Sequence, residues 1–247
     1  MILQTASGYE VAVQRSNRAK SADLIVERGQ VRIVVPKETA TSQIERIIAK
    51  KDRWIRQKLR LQATVVEPKP KEFISGEAFP YLGKNYRLKV IYGSKDHVAF
   101  RSGRIEVCVA AMKGENGLEA RVRSLLVSWY REKAIKRINE KVEKYSKRLG
   151  VKPQSVKVRD YKSRWGSCIL PSTVSFNWRI VMAPHKIIDY VVVHELCHLK
   201  HHDHSEKFWS LVRRVIPKYA SRRQWLVVAT MSSDWIYRRR GQDQVDS

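Results

Sequence analysis

The sequence predicts an α+β protein in which a β-rich amino-terminal part precedes a mainly helical part. Short segments of alternating apolar and polar residues fill positions 9–35, the pattern of strands with one buried face. The longest helical periodicity spans 118–149, and an apolar run follows at 187–193. With 247 residues, 43% of them hydrophobic, the chain is long enough to bury a substantial core.

The first predicted elements are a β-hairpin or small meander and then a helix. Within the segment 9–35, the Arg-Gly-Gln sequence at 28–30 is typical of a turn between two strands. Apolar residues then recur at helical spacing over positions 41–61, and the threonine and serine at the start can cap this helix. On this helix we expect Trp54 and Ile55 to lie in the core.

Further strands are predicted after a stiff connection. Two prolines within residues 64–71 exclude a helix or a central strand there. Residues 81–90 then indicate a hairpin, and residues 104–109 indicate another strand before a glycine-containing turn at 114–117.

Helices dominate the second half of the chain. Apolar stripes extend along residues 118–149, and Gly150 provides the helix end. Within this helix, residues 131–148 carry eight basic and three acidic side chains, which indicates either a polyanion-binding face or a plain solvated face. Residues 208–215 and 219–228 predict two further helices.

We therefore expect two domains and a tail. Residues 1–115 should form a β-rich amino-terminal part with one helix at about 41–61. Residues 116–236 should form the second domain, and residues 237–247 should be a disordered tail.

The net charge of +25, from 49 basic against 24 acidic residues, predicts attraction to polyanions. Nucleic acid, nucleotides and anionic surfaces are therefore candidate partners, with non-specific nucleic-acid binding through the basic surface as one interpretation. Because the basic residues are scattered through nearly every segment, a solvated cationic surface is the alternative. No helix-turn-helix or zinc-finger pattern indicates sequence-specific readout.

Cysteine usage and hydropathy predict a cytoplasmic chain with reduced thiols. Cys108, Cys168 and Cys197 are widely spaced without a C-x-x-C pair, which argues against a disulfide framework and a structural zinc knuckle. No segment approaches about 18 uninterrupted apolar residues, and the amino terminus lacks the pattern of a secretory signal. We expect no membrane partner, and the sequence indicates no particular oligomeric state.

The segment His-Glu-Leu-Cys-His at 194–198 is the strongest indication of chemistry. On a helix, positions four apart differ by roughly 40° around the axis, so His194 and His198 share a face and can bind one divalent metal. Glu195 lies one step around the helix, where it can reach a metal-bound water without being a ligand. The helix is predicted by Pro184 and the apolar residues before the motif.

A third ligand is expected at His204. This position matches the third histidine of H-E-x-x-H-x-x-G-x-x-H proteases, but His201 replaces the glycine that permits their sharp turn. Asp203 and Glu206 therefore stay as alternative ligands. Asp189 is a candidate to orient one of the metal-binding histidines.

Together these residues predict a metal-dependent hydrolase with one Zn²⁺, although iron, manganese or nickel also suit the ligands. Zinc would lower the pKa of its water to about 7, and Glu195 would take that water's proton and later pass it to the leaving group. The substrate is expected to be a peptide or protein. Two alternatives stay open: a nucleoside triphosphate pyrophosphatase, and a DNA-associated protease or nucleic-acid-binding module.

Four segments stand out around the histidines: Lys-Ser-Arg-Trp-Gly-Ser-Cys at 162–168, Phe-Asn-Trp-Arg at 176–179, the helical segment 188–199, and His-Ser with Phe-Trp at 204–209. Together they closely resemble the YgjP-like metallopeptidase family, over essentially residues 16–235. The resemblance implies a zincin-like catalytic domain with an amino-terminal β-rich part packed against it. It also implies that the third histidine ligand is His204.

Residues 163–168 and 174–181 are also expected to form a hairpin, in which Arg164 and Asn177 are embedded polar residues. We expect Arg164 to be catalytic, either by stabilising an oxyanion or by binding a substrate phosphate. A structural hydrogen-bonding role is the alternative. Three tryptophans are expected in the core: Trp165, Trp178 and Trp209.

Overall fold

The computed structural model confirms an α+β chain, in which the described residues form three small sheets and five α-helices. The chain divides into two compact units, residues 1–68 and 69–247. None of the described helices is both long and apolar enough to cross a membrane. The structure describes residues 1–17, 21–27, 29–64, 71–110, 117–161, 164–169 and 172–232.

The first unit is a four-stranded sheet with one helix. Its elements are β1 (Ile2–Gln4), β2 (Glu10–Ser16), β3 (Asp23–Glu27), β4 (Gln30–Pro36) and α1 (Thr41–Thr64). The strand order is β1-β2-β4-β3, in which β2 and β4 are parallel and the other pairs are antiparallel. The predicted turn at 28–30 joins β3 to β4, although Arg28 itself lies outside the described residues.

Helix α1 packs on this sheet through residues at helical spacing. Ile55 is fully buried, as predicted, in a cluster with these residues of the helix and of strands β2 and β4: Ile44, Ile48, Val11, Val31, Ile33 and Val35. The prediction that Trp54 lies in the core is wrong, because its side chain is 40% exposed. One residue is about 100° of rotation on a helix, which carries Trp54 out of the buried stripe.

The second unit contains two sheets. The first consists of β5 (Ala78–Tyr81), β6 (Lys84–Gly93), β7 (His97–Arg101) and β8 (Arg104–Ala110) in the order β5-β6-β8-β7. The second consists of β9 (Ser155–Arg159), β10 (Gly166–Ile169) and β11 (Thr173–Asn177) in the order β10-β11-β9. Strand β10 is therefore an edge strand, antiparallel to β11, while β9 and β11 are parallel.

The helices of the second unit are α2 (Leu118–Leu149), α3 (His185–Cys197), α4 (Glu206–Val215) and α5 (Tyr219–Ser232), with a 3-10 helix at Trp178–Met182. Helix α2 has the predicted bounds. Gly150 caps its carboxyl end with a φ of 62°, the left-handed conformation that glycine adopts at low cost.

Both sheets and the helices of this unit contribute to one hydrophobic core. Phe79 and Leu88 of the first sheet lie in the same cluster as Trp129 of α2 and Val192 of α3. The predicted boundary at 115/116 thus separates elements that share a core. As a division into separately folding parts, that boundary stays a prediction.

Several predicted segments fall wholly or largely outside the described residues. These are the connection at 64–71, the turn at 114–117 and the tail at 237–247. In the predicted hairpin, Ser163 and the residues at 170–171 are also outside them. Strands β10 and β11 form the predicted antiparallel pair, but residues 178–181, predicted to continue the second strand, form a 3-10 helix.

A tight turn between β5 and β6 fixes the start of α3. Leu82 and Gly83 both have a left-handed φ, and their backbone N–H groups donate to the carbonyl oxygens of Val181 and Met182 at 2.9 Å. A Cβ atom at Gly83 would lie 2.7 Å from Cγ of Pro184, the N-cap residue of α3. Only glycine fits this contact, which positions the helix that carries the histidine motif.

Candidate metal centre

Helix α3 is buried around most of its circumference, as expected for a helix that lies within a core. The β-branched residues before the motif, such as Val192 and Val193, are fully buried. Their slightly unfavourable helix propensity is outweighed by packing, which supplies most of the stability of helices in proteins. The motif at 194–198 therefore lies on a rigid element.

The three predicted ligands lie together where α3 ends. His194 is in the last turn of α3, His198 is its C-cap residue, and His204 precedes the N-cap residue of α4. The candidate ligand atoms of the three side chains all lie within 4.8 Å of one another. The Nε2 atoms of His194 and His204 are 3.2 Å apart. The exposed His204 gives the cluster access to solvent.

The chain turns back after α3 without the glycine of related motifs. The backbone N–H groups of Lys200 and His201 both donate to the carbonyl oxygen of Cys197, at 3.0 Å, which closes the last turn. Of the described residues with a left-handed φ, none lies between 198 and 204. Because the turn uses ordinary backbone conformations, His201 can replace glycine and His204 still reaches the cluster.

A hydrogen bond selects the tautomer of the His198 imidazole. Its Nδ1 atom lies 3.1 Å from the carbonyl oxygen of His201, which can only accept a hydrogen bond. Nδ1 therefore carries the proton and Nε2 the lone pair, the tautomer arrangement found in metal-binding histidines. The same loop that brings in His204 thus also orients His198.

The cluster fits a small divalent metal. Nitrogen ligands at 2.0–2.1 Å from a tetrahedral zinc ion lie about 3.3–3.4 Å from one another, close to the separation of the His194 and His204 nitrogens. Burial, and secondarily the neighbouring His198 and His204, lower the pKa of His194 to about 3. Burial also lowers the pKa of His198. The imidazoles are thereby kept in the neutral form that binds metals.

Glu195 is a buried carboxylate beside this cluster, with 6% of its surface exposed. Burial raises the pKa of Glu195 to about 8, and the positive charge of Arg164 opposes that shift. A carboxylate with a raised pKa binds a proton more strongly than an exposed one, which is the property a general base needs. Its backbone position in α3, one residue after His194, places it beside the histidine cluster.

Strand β10 packs directly against Glu195. A Cβ atom added to Gly166 would lie 2.5 Å from Oε1 of Glu195 and 2.7 Å from its Cδ and Cγ atoms. Cys168 lies two residues farther along β10, on the same face of the strand, and the charge of Glu195 contributes to its raised pKa, after burial. The edge strand therefore forms one wall around the carboxylate.

A buried polar network supports the segment that precedes β10. The Asn177 side-chain amide donates to the carbonyl oxygens of Tyr161 and Arg164, at 2.8 and 3.0 Å. The buried guanidinium of Arg179 donates to Asp160 Oδ1 at 2.6 Å and to Asn177 Oδ1 at 3.2 Å. Asn177 and Arg179 thus fix the backbone that carries Arg164.

The side chain of Arg164 is exposed, and its guanidinium lies 5.7 Å from the ring centroid of Tyr161. It is close enough to Glu195 for its charge to act on the pKa of that carboxyl group. A catalytic role for the Arg164 guanidinium remains a prediction. Its main-chain carbonyl has a structural role as an acceptor for Asn177.

Aromatic side chains surround the histidines. Phe208 is fully buried and stacks on His198 at 4.5 Å, and it meets His194 and His204 edge-on at 5.0 and 4.9 Å. Trp209 stacks on His204 at 5.5 Å. These contacts restrict rotation of the imidazoles. Of the tryptophans predicted in the core, Trp178 is buried, while Trp165 and Trp209 are half-buried.

Other residues that the sequence suggested as ligands or neighbours of the metal have different roles. Asp189 bonds to Lys141 of α2 and not to a histidine of the cluster: its Oδ1 accepts a hydrogen bond from the Lys141 side chain at 2.5 Å. Asp203 forms hydrogen bonds with Ser205, which lower the pKa of its carboxyl group, and neither Asp203 nor Glu206 belongs to the histidine cluster. Cys197 is fully buried, in keeping with a packing role.

Gly166 and Arg179 lie within the sequence motifs, but no role was predicted for either residue. A glycine in a strand can mark close approach of another group, and an arginine between apolar residues can mark a buried ion pair. Both signals are present in the sequence, but neither identifies the side chain that Gly166 or Arg179 contacts. Glu195 and Asp160 are 29 and 19 residues away in sequence.

Comparison with known proteins gives a family and a likeness to solved structures. A family model described as YgjP-like, metallopeptidase domain matches residues 20–228. The crystal structure of the metallopeptidase zymogen of Pyrococcus abyssi abylysin is 21% identical, over 38% of this chain and 96% of that chain, with a TM-score of 0.36. At that TM-score we draw no structural correspondence from it. The comparison with curated proteins gave no match.

Proposed function

The chain belongs to the YgjP-like metallopeptidase family and is thus a metal-dependent hydrolase, and from this premise we propose that it is a zinc peptidase of zincin-like architecture. The observation that carries the proposal is the convergence of His194, His198 and His204 beside the buried Glu195. In the proposed arrangement, α3 supplies the first two ligands and the following loop supplies the third. Residues 116–236 would include the catalytic machinery.

A bound zinc ion would supply Lewis acidity, which activates water and polarises the carbonyl of the substrate. Glu195 takes a proton from the attacking water and passes it to the leaving amine, so that the carboxylate ends each cycle as it began. Its buried position excludes competing solvent. Three imidazole ligands favour zinc, while iron, manganese and nickel are compatible with the same ligands.

The substrate class is decided by offering peptides and nucleotides to the same preparation. Metal-replete protein should cleave members of a fluorogenic peptide library, and the Glu195→Gln variant should not. Nucleoside triphosphates are incubated in parallel, with pyrophosphate release as the readout. Glu195-dependent pyrophosphate release without peptide cleavage would replace the peptidase proposal by the nucleotide hydrolase.

We propose that Arg164 stabilises the oxyanion that forms on the substrate carbonyl. Arg164→Gln should then lower kcat for peptide cleavage by about 10²- to 10³-fold, the usual effect of removing one such donor. The matched control is Arg159→Gln, which neutralises an exposed arginine on β9 of the same sheet. An unchanged kcat in Arg164→Gln would leave only the structural role of its main-chain carbonyl.

Gly166→Ala should displace Glu195, because the new methyl group would overlap the carboxylate. A displacement of about 1 Å at a catalytic group can cost about 10²-fold, and we expect a loss of that size in kcat with the metal content unchanged. Ser167→Ala on the same strand is the control, since consecutive strand residues point to opposite faces. Full activity in Gly166→Ala would show that the position of Glu195 is not set by β10.

A further inference from the structure

The solvent-facing side of α1 carries a continuous basic stripe. Arg46, Lys50, Arg53 and Arg60 are all exposed and follow one another at intervals of four, three and seven residues, which places them on one face of the helix. Between Arg53 and Arg60, the position on this face is held by the uncharged Gln57. The stripe extends over 15 residues, from Arg46 to Arg60, or about 21 Å of helix.

No acidic residue of α1 lies within this stripe. The acidic residues of α1 are Glu45 and Asp52, which lie on the flank of the helix between the stripe and the buried face, and Asp52 pairs with Arg56 and accepts a hydrogen bond from Tyr9. Among the described residues, none of the four cations of the stripe has an ion-pair partner within 4.0 Å.

The stripe is not needed for folding of the first unit. The opposite face of α1, with Ile44, Ile48 and Ile55, makes the contacts with the sheet. Like charges at positions four apart on a helix, such as Arg46 and Lys50, weaken the helix. The sequence therefore keeps an unfavourable arrangement on a face that contributes nothing to the core.

Trp54 lies beside the stripe with 40% of its side chain exposed. Lys50 and Lys58 lie one helical turn before and one turn after Trp54, and Lys58 Nζ is 5.9 Å from the ring centroid. An exposed indole between two lysines combines a flat stacking surface with positive charge. This pairing is the chemistry that binds a nucleobase and its neighbouring phosphates.

We propose that the outer face of α1, consisting of Arg46, Lys50, Arg53, Trp54 and Arg60, binds single-stranded nucleic acid. The cations would contact successive phosphates, and Trp54 would stack on an unpaired base. A duplex offers no free base face to the indole. An anionic membrane is disfavoured because the apolar face of α1 is already buried against its own sheet, which leaves one aromatic side chain for insertion.

Helix α2, in which the sequence indicated a candidate polyanion-binding face, differs from α1 in the ion pairing of its basic residues. Its exposed basic residues alternate with carboxylates, and ion pairs join Lys133 to Glu132, Arg137 to Glu140 and Lys147 to Glu143. With the pairs that Arg121, Arg131 and Lys141 make to carboxylates of other segments, six of the ten basic residues of α2 are held in ion pairs. Helix α1 is the better candidate although it is shorter.

The test measures binding of a fluorescently labelled oligothymidine of about 20 nucleotides by anisotropy between about 50 and 200 mM salt. The quadruple variant Arg46→Gln, Lys50→Gln, Arg53→Gln, Arg60→Gln should lower the slope of log affinity against log salt by about 2.8, or about 0.7 per phosphate contact. The pairs Arg46→Gln, Lys50→Gln and Arg53→Gln, Arg60→Gln should each lower it by about 1.4. Trp54→Ala should weaken binding about 5- to 150-fold.

The matched control is Lys133→Gln, Arg137→Gln, Lys144→Gln, Lys147→Gln on α2, which removes the same charge and should leave the slope unchanged. Glu195→Gln should bind like the wild type, since the stripe acts independently of the metal centre. An equal loss in the α2 control would overturn the proposal in favour of diffuse charge. No effect of Trp54→Ala, or Trp54-dependent binding to phosphatidylserine vesicles without binding to the oligonucleotide, would also overturn it.

Discussion

The Glu195→Gln variant should lose about 10²- to 10⁴-fold in kcat for peptide cleavage while it keeps its metal. The amide has the shape of the carboxylate and can occupy the same space against Gly166, but it cannot accept a proton from water. Glu195 is 6% exposed, and so bulk solvent provides no substitute base at this position. The measurement is kcat on the best peptide of the screen, with elemental analysis of the same sample.

The control for this variant is Glu206→Gln, which makes the same change at an exposed position in the first turn of α4. It should retain wild-type activity and metal. If Glu195→Gln kept its activity, or lost its metal together with it, Glu195 would not be the general base that we propose.

Replacement of either helical histidine by alanine should remove the metal. His194→Ala and His198→Ala each leave two imidazoles, and we expect about one equivalent of zinc to be lost and peptide cleavage to fall to background. The metal should also stabilise the fold, by about 4 kcal/mol at a free concentration about 1,000 times its dissociation constant. A chelator should therefore lower the Tm of the wild type and leave that of the two variants unchanged.

His202→Ala is the matched control, because His202 is exposed and outside the cluster. It should keep its zinc and its sensitivity to the chelator. Comparison of all proteins in chelator separates metal loss from any packing defect, since His194 and His198 both contact Phe208. Metal-free wild type after purification with excess zinc would contradict the proposed centre.

Much of the fold was predictable because it depends on local periodicity. The 3.6-residue spacing of apolar residues predicted α2 with its observed bounds, and the sharp end at Gly150 follows from the left-handed conformation of that residue. The helical spacing of His194 and His198 likewise follows from their positions in the chain. The coarse α+β class and the family could therefore be predicted from residue patterns.

Other features depended on which surfaces meet. Trp54 is as apolar as a typical core residue, but the face of α1 that packs on the sheet is centred on Ile44, Ile48 and Ile55. Asp189 is five residues before His194, yet it lies against Lys141 of α2. Nothing in local spacing specifies those partners, because they come from distant segments.

The sequence by itself determined which histidines and which carboxylate lie close together, since their spacing is set by one turn of helix and a short loop. Only the tertiary structure decided what surrounds them: Gly166 against Glu195, Phe208 against the imidazoles, and Asn177 with Arg179 behind Arg164. It also showed that six of the ten basic residues of α2 are held in ion pairs, whereas none of the four cations of the α1 stripe is paired with a described residue. Helical geometry is encoded over a few residues, whereas burial and electrostatic pairing arise from packing between segments that are far apart in the chain.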